Sequence, residues 1–224
     1  MTEYTLKIEI TDTGLNTIGN AQQSVCLAKD VGTAGSTSNT ARTVWVKIDP
    51  GENNVVTWEE DYRIYASESK IVDGAQVSST TRTRDVVTLD YCYPFTKNNV
   101  FGEGTEDKDG EGYYSLHNGS NWTINEERQV CSGLYQVSTV SGGGNDTNDQ
   151  GPLNACYVPY NEKGRFAPEE VVYVWAQKVA DTGVVKEKVT TDMLKVEYDT
   201  GETSKTVHYD DTDNVFKPGP LPSR

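Results

Sequence analysis

The sequence predicts an all-β protein: an antiparallel β-sandwich built from two duplicated repeats. Three observations carry this reading. Tyr4-Thr-Leu6-Lys-Ile8-Glu-Ile10 alternates apolar and polar residues, the period of a strand with one face on a core and one in water. Short runs rich in β-branched and aromatic residues recur along the chain, divided by Pro, Gly and Asp-Thr-Gly corners. No longer window carries an apolar stripe at i, i+3, i+4, i+7, so no helix is expected.

After the opening strand, Thr43-Val-Trp45-Val-Lys-Ile48 and Asn54-Val-Val-Thr-Trp58 read as strands. They flank Asp49-Pro50-Gly51-Glu52, whose proline presets the first corner of a turn. Tyr62-Arg-Ile64-Tyr65-Ala66 and Asp85-Val-Val-Thr-Leu89-Asp-Tyr91 extend the series. The second half offers strands over 171–175, 183–189, 194–198 and 205–209, with glycine at Asp181-Thr-Gly183 and Asp199-Thr-Gly201 supplying the corner conformation. Three stretches read as loops or linkers: Gly32–Thr40, Gly102–Gly112 and Ser141–Gly151. Lys217–Arg224, with three prolines, reads as an extended tail.

The halves resemble each other. Ile48-Asp-Pro50-Gly-Glu52-Asn-Asn-Val55-Val56 has a counterpart in Phe166-Ala-Pro168-Glu-Glu170-Val171-Val172, and Asn99-Val100-Phe101 one in Asn214-Val215-Phe216. Gln23-Ser-Val-Cys26 aligns with Gln129-Val-Cys131. This gives a β-sandwich repeat over 1–105, a Gly/acidic linker with an aromatic loop over 106–125, a second repeat over 126–216 and a tail over 217–224. Tandem sandwiches and one sandwich with a pseudo-two-fold axis both satisfy the pattern.

Composition narrows the function. Twenty basic against 34 acidic side chains leave a net charge of −14, which argues against nucleic acid and against simple adhesion to anionic lipid. No apolar run is long enough for a membrane-spanning helix. The start lacks a secretory signal, so a cytoplasmic location is expected, with leaderless release as the alternative. Cys26, Cys92, Cys131 and Cys156 have no CxxC spacing and read as buried thiols rather than a zinc site; one or two disulfides are the other reading. Asn118-Gly-Ser, Asn121-Trp-Thr and Asn145-Asp-Thr read as exposed polar turns.

Chemistry-bearing motifs are few. Asp107, Asp109 and Glu111 offer hard oxygen ligands of the kind calcium takes, and Asp146, Asn148, Asp149 and Asp210, Asp211, Asp213 form similar clusters; a solvated acidic loop is the favoured reading of each, so no cofactor is expected, with calcium as the alternative. Tyr113, Tyr114, His117, Asn121 and Trp122 combine aromatic faces with amide and imidazole groups, a mixture that suits a carbohydrate or small polar ligand. Trp58 and Trp175 join them as candidate ligand contacts; packing within the core is the competing role. His117 is the only candidate for acid–base catalysis, His208 reading as an ordinary strand residue; no nucleophile elbow, P-loop, dinucleotide fingerprint or zinc-protease motif is present.

The Pro-Gly turn followed by Val-Thr-Trp58-Glu-Glu60 resembles small β-sandwich proteins of the aegerolysin type over a short stretch; length and duplication depart from that family, and no residue role follows from it. The expected function is non-enzymatic recognition of a glycan, lipid head group or cell surface, as a lectin-like protein or toxin component. The alternative is an enzyme or carrier holding a small molecule in an aromatic pocket between the repeats. Self-association through edge strands is a third expectation.

Overall fold

A computed structural model describes residues 2–142, 147–179, 181–186 and 192–222. The first half supplies β1 (Glu3–Glu9), a helix α1 (Asp12–Asn20), β2 (Ser24–Gly35), β3 (Ser38–Thr43), β4 (Val46–Ile48), β5 (Asn53–Ser67), β6 (Thr81–Arg82), β7 (Tyr91–Phe95) and β8 (Thr105–Glu106). The second supplies β9 (Tyr114–Asn118), β10 (Thr123–Ile124), β11 (Glu127–Ser141), β12 (Thr147–Pro152), β13 (Asn154–Pro159), β14 (Lys163–Gln177), β15 (Val185–Lys186), β16 (Leu194–Glu197), β17 (Ser204–Asp210) and β18 (Val215–Pro218). The protein is nearly all-β, and its strands form two sheets packed face to face.

The larger sheet runs β15-β3-β13-β11-β5-β1-β17-β18, with β6 on β5 and with β10 and β12 on β11. The smaller runs β4-β2-β14-β9-β7-β8, with β16 on β14. Both sheets draw strands from both halves of the chain. Within the larger sheet, β11-β5-β1-β17 carries antiparallel, antiparallel and parallel pairings in turn. Within the smaller, β2-β14-β9-β7 carries the same sequence of pairings. β5 and β14 are each 15 residues long and each bulges. Glu59-Glu60-Asp61 stands between the paired residues Trp58 and Tyr62, and Glu169-Glu170-Val171 between Pro168 and Val172. The bulge lets Pro168, which has no N–H to give a ladder, sit in an inner strand.

Alternation along the long strands sorts the core into layers. Leu6, Ile8, Leu27, Trp58, Ile64, Leu134, Phe166 and Val174 fill the space between the sheets. The other face of the larger sheet is also covered: Tyr65, Cys131, Tyr135 and Tyr157 pack under Ile71 and Val77. Cys26, Ala28, Tyr173 and Trp175 pack likewise under Val44, Val184 and Met193 on the smaller sheet. β2 and β11 are thus buried on both sides for most of their length, which erases the polar half of the alternation.

Several local expectations change. A helix is present: Thr11 caps α1 by accepting from Gly14 N–H (3.1 Å), and Ile18 is buried. Gly14 is required because a Cβ there would lie 2.8 Å from Tyr209 and from Asp211 Oδ1. The runs 54–58 and 62–66 are one strand, joined through the bulge. The expected strand over 85–91 begins only at Tyr91, because Asp90 turns the chain in the left-handed region (φ 64°). Gly32–Thr40 lies mostly in β2 and β3, residues 114–118 form the inner strand β9 rather than a linker, and the start of the tail is β18. Asn118 is fully buried, its Nδ2 donating to Val158 O (2.9 Å) and its Oδ1 accepting from Ser120, so this tripeptide is no exposed turn. Residues 187–189 of the strand expected over 183–189 lie outside the described residues. Among the described residues no helix is long and apolar enough to cross a membrane.

Because each sheet pairs strands from both halves, cutting the chain between them breaks no sheet. A protease site inserted between Lys108 and Gly112 and then cleaved is expected to leave both fragments co-eluting in size exclusion at the intact size. They should separate only in denaturant.

Candidate functional site

The aromatic stretch before and along β9 is divided by the sheet. Tyr114 turns inward and tilts at 56° against Tyr62, ring centroids 5.4 Å apart. Ser115 and His117 take the other face, in register with Arg165 and Lys163 on β14 and with Cys92 and Pro94 on β7. Tyr113 is half-buried in the preceding turn, Trp122 packs edge-on against Phe95 at 5.0 Å, and exposed Asn121 accepts from Arg128 Nη2 (2.6 Å). Trp58 lies between the sheets, while Trp175 lies on the outer face of the smaller sheet and donates to Gln177 Oε1 (2.9 Å). Only Tyr114 and Trp58 are drawn toward a common centre; the other five are spread over both sides of the smaller sheet and its ends.

The acidic candidates already have protein partners. Asp107 is buried and accepts from Lys163 Nζ (2.7 Å), with Arg165 Nε 3.8 Å away, while Asp109 and Glu111 are exposed. Burial alone would raise the Asp107 carboxyl; the hydrogen bond and charge of Lys163, with Arg165 behind it, outweigh that and hold it below its ordinary value. Asp210 accepts from Lys217 (2.7 Å) and from the Thr212 and Asp213 amides, Asp213 accepts from Lys217, and Asp211 accepts from Thr11. The side chains of Asp146, Asn148 and Asp149 lie outside the described residues. Among the described residues no three His, Cys, Asp or Glu groups are placed together to hold a metal ion. All four cysteines are buried free thiols, and burial pushes Cys26 and Cys131 up to about 12. His208 is a buried strand residue whose Nδ1 lies 2.9 Å from Gly219 O.

The common centre is Lys29, a residue the sequence reading passed over because it sits in an unpatterned run. Its side chain is fully buried between the sheets. Nζ lies 5.7, 5.5 and 5.5 Å from the ring centres of Trp45, Trp58 and Tyr62, and donates to Tyr62 Oη (3.3 Å). Desolvation, against the opposing charges of Glu170 and Glu60, lowers its pKa to about 8. Glu60 and Glu170 come from the two bulges, and Tyr4 Oη donates to Glu60 Oε1 (3.3 Å). Burial pushes the Glu170 carboxyl up, Lys29 pulls it down and Glu60 pushes it up again, leaving it above its ordinary value. Trp58 Nε1, Gln136 Oε1 and Glu170 Oε2 are buried without a hydrogen-bond partner among the described residues. A buried amine and three unsatisfied polar atoms therefore lie where the two halves meet, with half-buried Glu170 and exposed Glu60 near enough for their charges to act on the amine.

The second feature is a groove of about 360 Å³ on the outer face of the larger sheet. Its walls are Gln76–Arg82, Tyr135, Gln150, Pro152 and Thr182. The Arg82 guanidinium lies over the Tyr135 ring at 4.7 Å and donates from Nη1 to Gln150 Oε1 (3.4 Å). Gln76 Nε2 ties the loop to Thr182 O (3.0 Å). Apart from Arg82 the polar lining is hydroxyl and amide, and nothing in a run such as Ser78-Ser-Thr-Thr-Arg82 distinguishes it from an ordinary loop before it is folded against Tyr135. No family model matches the chain, and no curated protein or solved structure matches it significantly.

Two outcomes follow. Lys29 is less basic folded (about 8) than unfolded (10.5), so the unfolded state holds the proton more tightly. Its burden on stability is complete below about pH 8 and disappears as pH rises through the unfolded value. Lys29→Met should therefore raise unfolding free energy at neutral pH by on the order of 3 kcal/mol, with the gain shrinking in alkali, as read by urea denaturation across pH. Asp107→Asn should lower stability by roughly 2–4 kcal/mol by stranding Lys163 and Arg165. If Asp107 serves those cations, the loss is the same with calcium or chelator; a calcium-dependent melting rise in the parent that the variant lacks would make it a metal ligand.

Proposed function

We propose that the chain is a non-enzymatic, lectin-like recognition protein whose ligand is a hydroxyl-rich molecule, in the first instance a glycan on a cell surface, held in the groove of the larger sheet. The observation that carries this is the lining. Neutral donors and acceptors (Gln76, Ser78, Ser79, Thr80, Thr81, Thr182) line the groove beside Arg82, whose guanidinium is already oriented over the buried ring of Tyr135. Hydroxyls and primary amides can each both donate and accept, which is what a sugar edge requires. The reading includes the internal duplication: the matching strand orders and the paired bulges of β5 and β14 support a unit that was doubled and interlocked.

A second reading, an enzyme or carrier working between the halves, is favoured by the Lys29 centre. A weakly basic amine beside two carboxyls is the equipment for capturing a carbonyl compound. It predicts a small molecule released on denaturation, or a mass increment on Lys29 after borohydride treatment of the protein as isolated.

The first reading is tested on a glycan array and by red-cell agglutination. Tyr135→Ala and Thr81→Ala, confirmed folded by thermal melting, are expected to lose binding, the former at least tenfold, about 1.4 kcal/mol. Binding unchanged in both removes the groove as the site.

A further inference from the structure

Building on the groove reading, we infer that the ligand is acidic: a sugar carrying a carboxylate, such as a uronic or sialic acid, whose charged group is taken by Arg82 from its seat over Tyr135.

The chain has 34 acidic side chains against 20 basic ones, so a cation has carboxylates in excess to choose from. Arg42 pairs with Asp30, Lys163 with Asp107 and Lys217 with Asp210. Arg82 has no ion-pair partner among the described residues, and it is the only charged side chain in the groove wall. A half-buried guanidinium left without a counter-ion, in a protein otherwise crowded with carboxylates, forms a local positive site.

Geometry suits that site to a planar anion. Tyr135 lies under the guanidinium at 4.7 Å, and Gln150 Oε1 takes one Nη1 proton at 3.4 Å. These two contacts fix the plane and use one of five N–H donors, so the remaining fork can meet both oxygens of a carboxylate at once. A lysine would lack the planar fork. The surrounding hydroxyls and amides then have the uncharged part of the ligand to bind, which separates a sugar acid from a simple anion. The overall charge of −14 does not forbid this, because at physiological salt the field of distant carboxylates is screened beyond about 8 Å.

The test titrates the intact protein with N-acetylneuraminic acid, D-glucuronic acid and methyl glucoside by calorimetry. One acid is expected to bind at least tenfold more tightly than the neutral sugar, to weaken as salt rises, and to shift the Arg82 Nε resonance in the parent protein. Arg82→Gln should abolish the preference for the acid, and Arg82→Lys should restore part of it. The resonance shift needs no variant, so a variant that fails to fold does not spare the inference. Equal binding of acid and neutral sugar, or an acid preference untouched by Arg82→Gln, overturns the charge assignment while recognition at the groove stands. Silence from all three sugars together with a silent glycan array overturns both.

Discussion

Every inner strand at the centre of these two packed sheets takes a neighbour from each half of the chain. β5 lies between β1 and β11, β1 between β5 and β17, β14 between β2 and β9, and β9 between β14 and β7. The backbone groups on one edge of each strand would be orphaned if its own half folded alone, and a buried unpaired peptide group costs as much as a lost hydrogen bond. The chain must therefore bring distant segments together before its ladders are complete, as β1 beside β17 shows most plainly. Topologies of this kind, rich in non-local pairing, close slowly because loop entropy is spent before the contacts return it.

At the point where those strands cross stands a lysine that opposes the folding around it. Lys29 could be replaced by an apolar side chain without leaving a ladder bond unmade, yet it is fully buried between the sheets. The aromatic box of Trp45, Trp58 and Tyr62 offsets part of the desolvation through its ring faces, and Glu60 and Glu170 supply charge from the bulges. The bulges explain how exposed Glu60 and half-buried Glu170 come to lie at the rim of an otherwise apolar interior: the extra residues re-aim side chains that strict alternation would place elsewhere. Burial thus fixes both the low basicity of the amine and the high affinity of Glu170 for its proton, and one cannot be altered without moving the other.

How much of this was legible follows from burial. β1, β17 and the second part of β14 showed clearly, because each alternates or runs in β-branched and aromatic residues. β2 and β11 did not, because flaps around Ile71 and Val77 and around Val184 and Met193 cover their outer faces and remove the polar positions that mark a strand. The likeness of Asn99-Val-Phe to Asn214-Val-Phe was visible, and both asparagines take left-handed turns (φ 61° and 57°). Trp58 was singled out for its chemistry and does line the central box. Tyr114 reaches that box through Tyr62, whereas Asn121, Trp122 and Trp175 are bonded or packed elsewhere. Lys29 and Arg82 were invisible for a common reason: their meaning depends on what surrounds them, the one on full burial and the other on the lack of a carboxylate partner among the described residues.

The last described residues return to the far end of the first strand. β1 runs alongside β17, and just after β18 the Leu221 amide donates to Glu9 Oε2 at 2.7 Å. A tether as long as β1 could therefore close the chain into a ring, and opening that ring near residues 108–112 would reverse the order in which the halves are synthesised. Every strand would keep its neighbours. Order along the polypeptide is in this sense incidental to the architecture, which is specified by which edges find each other, and circularly permuted forms are a natural route to shifting which half leaves the ribosome first.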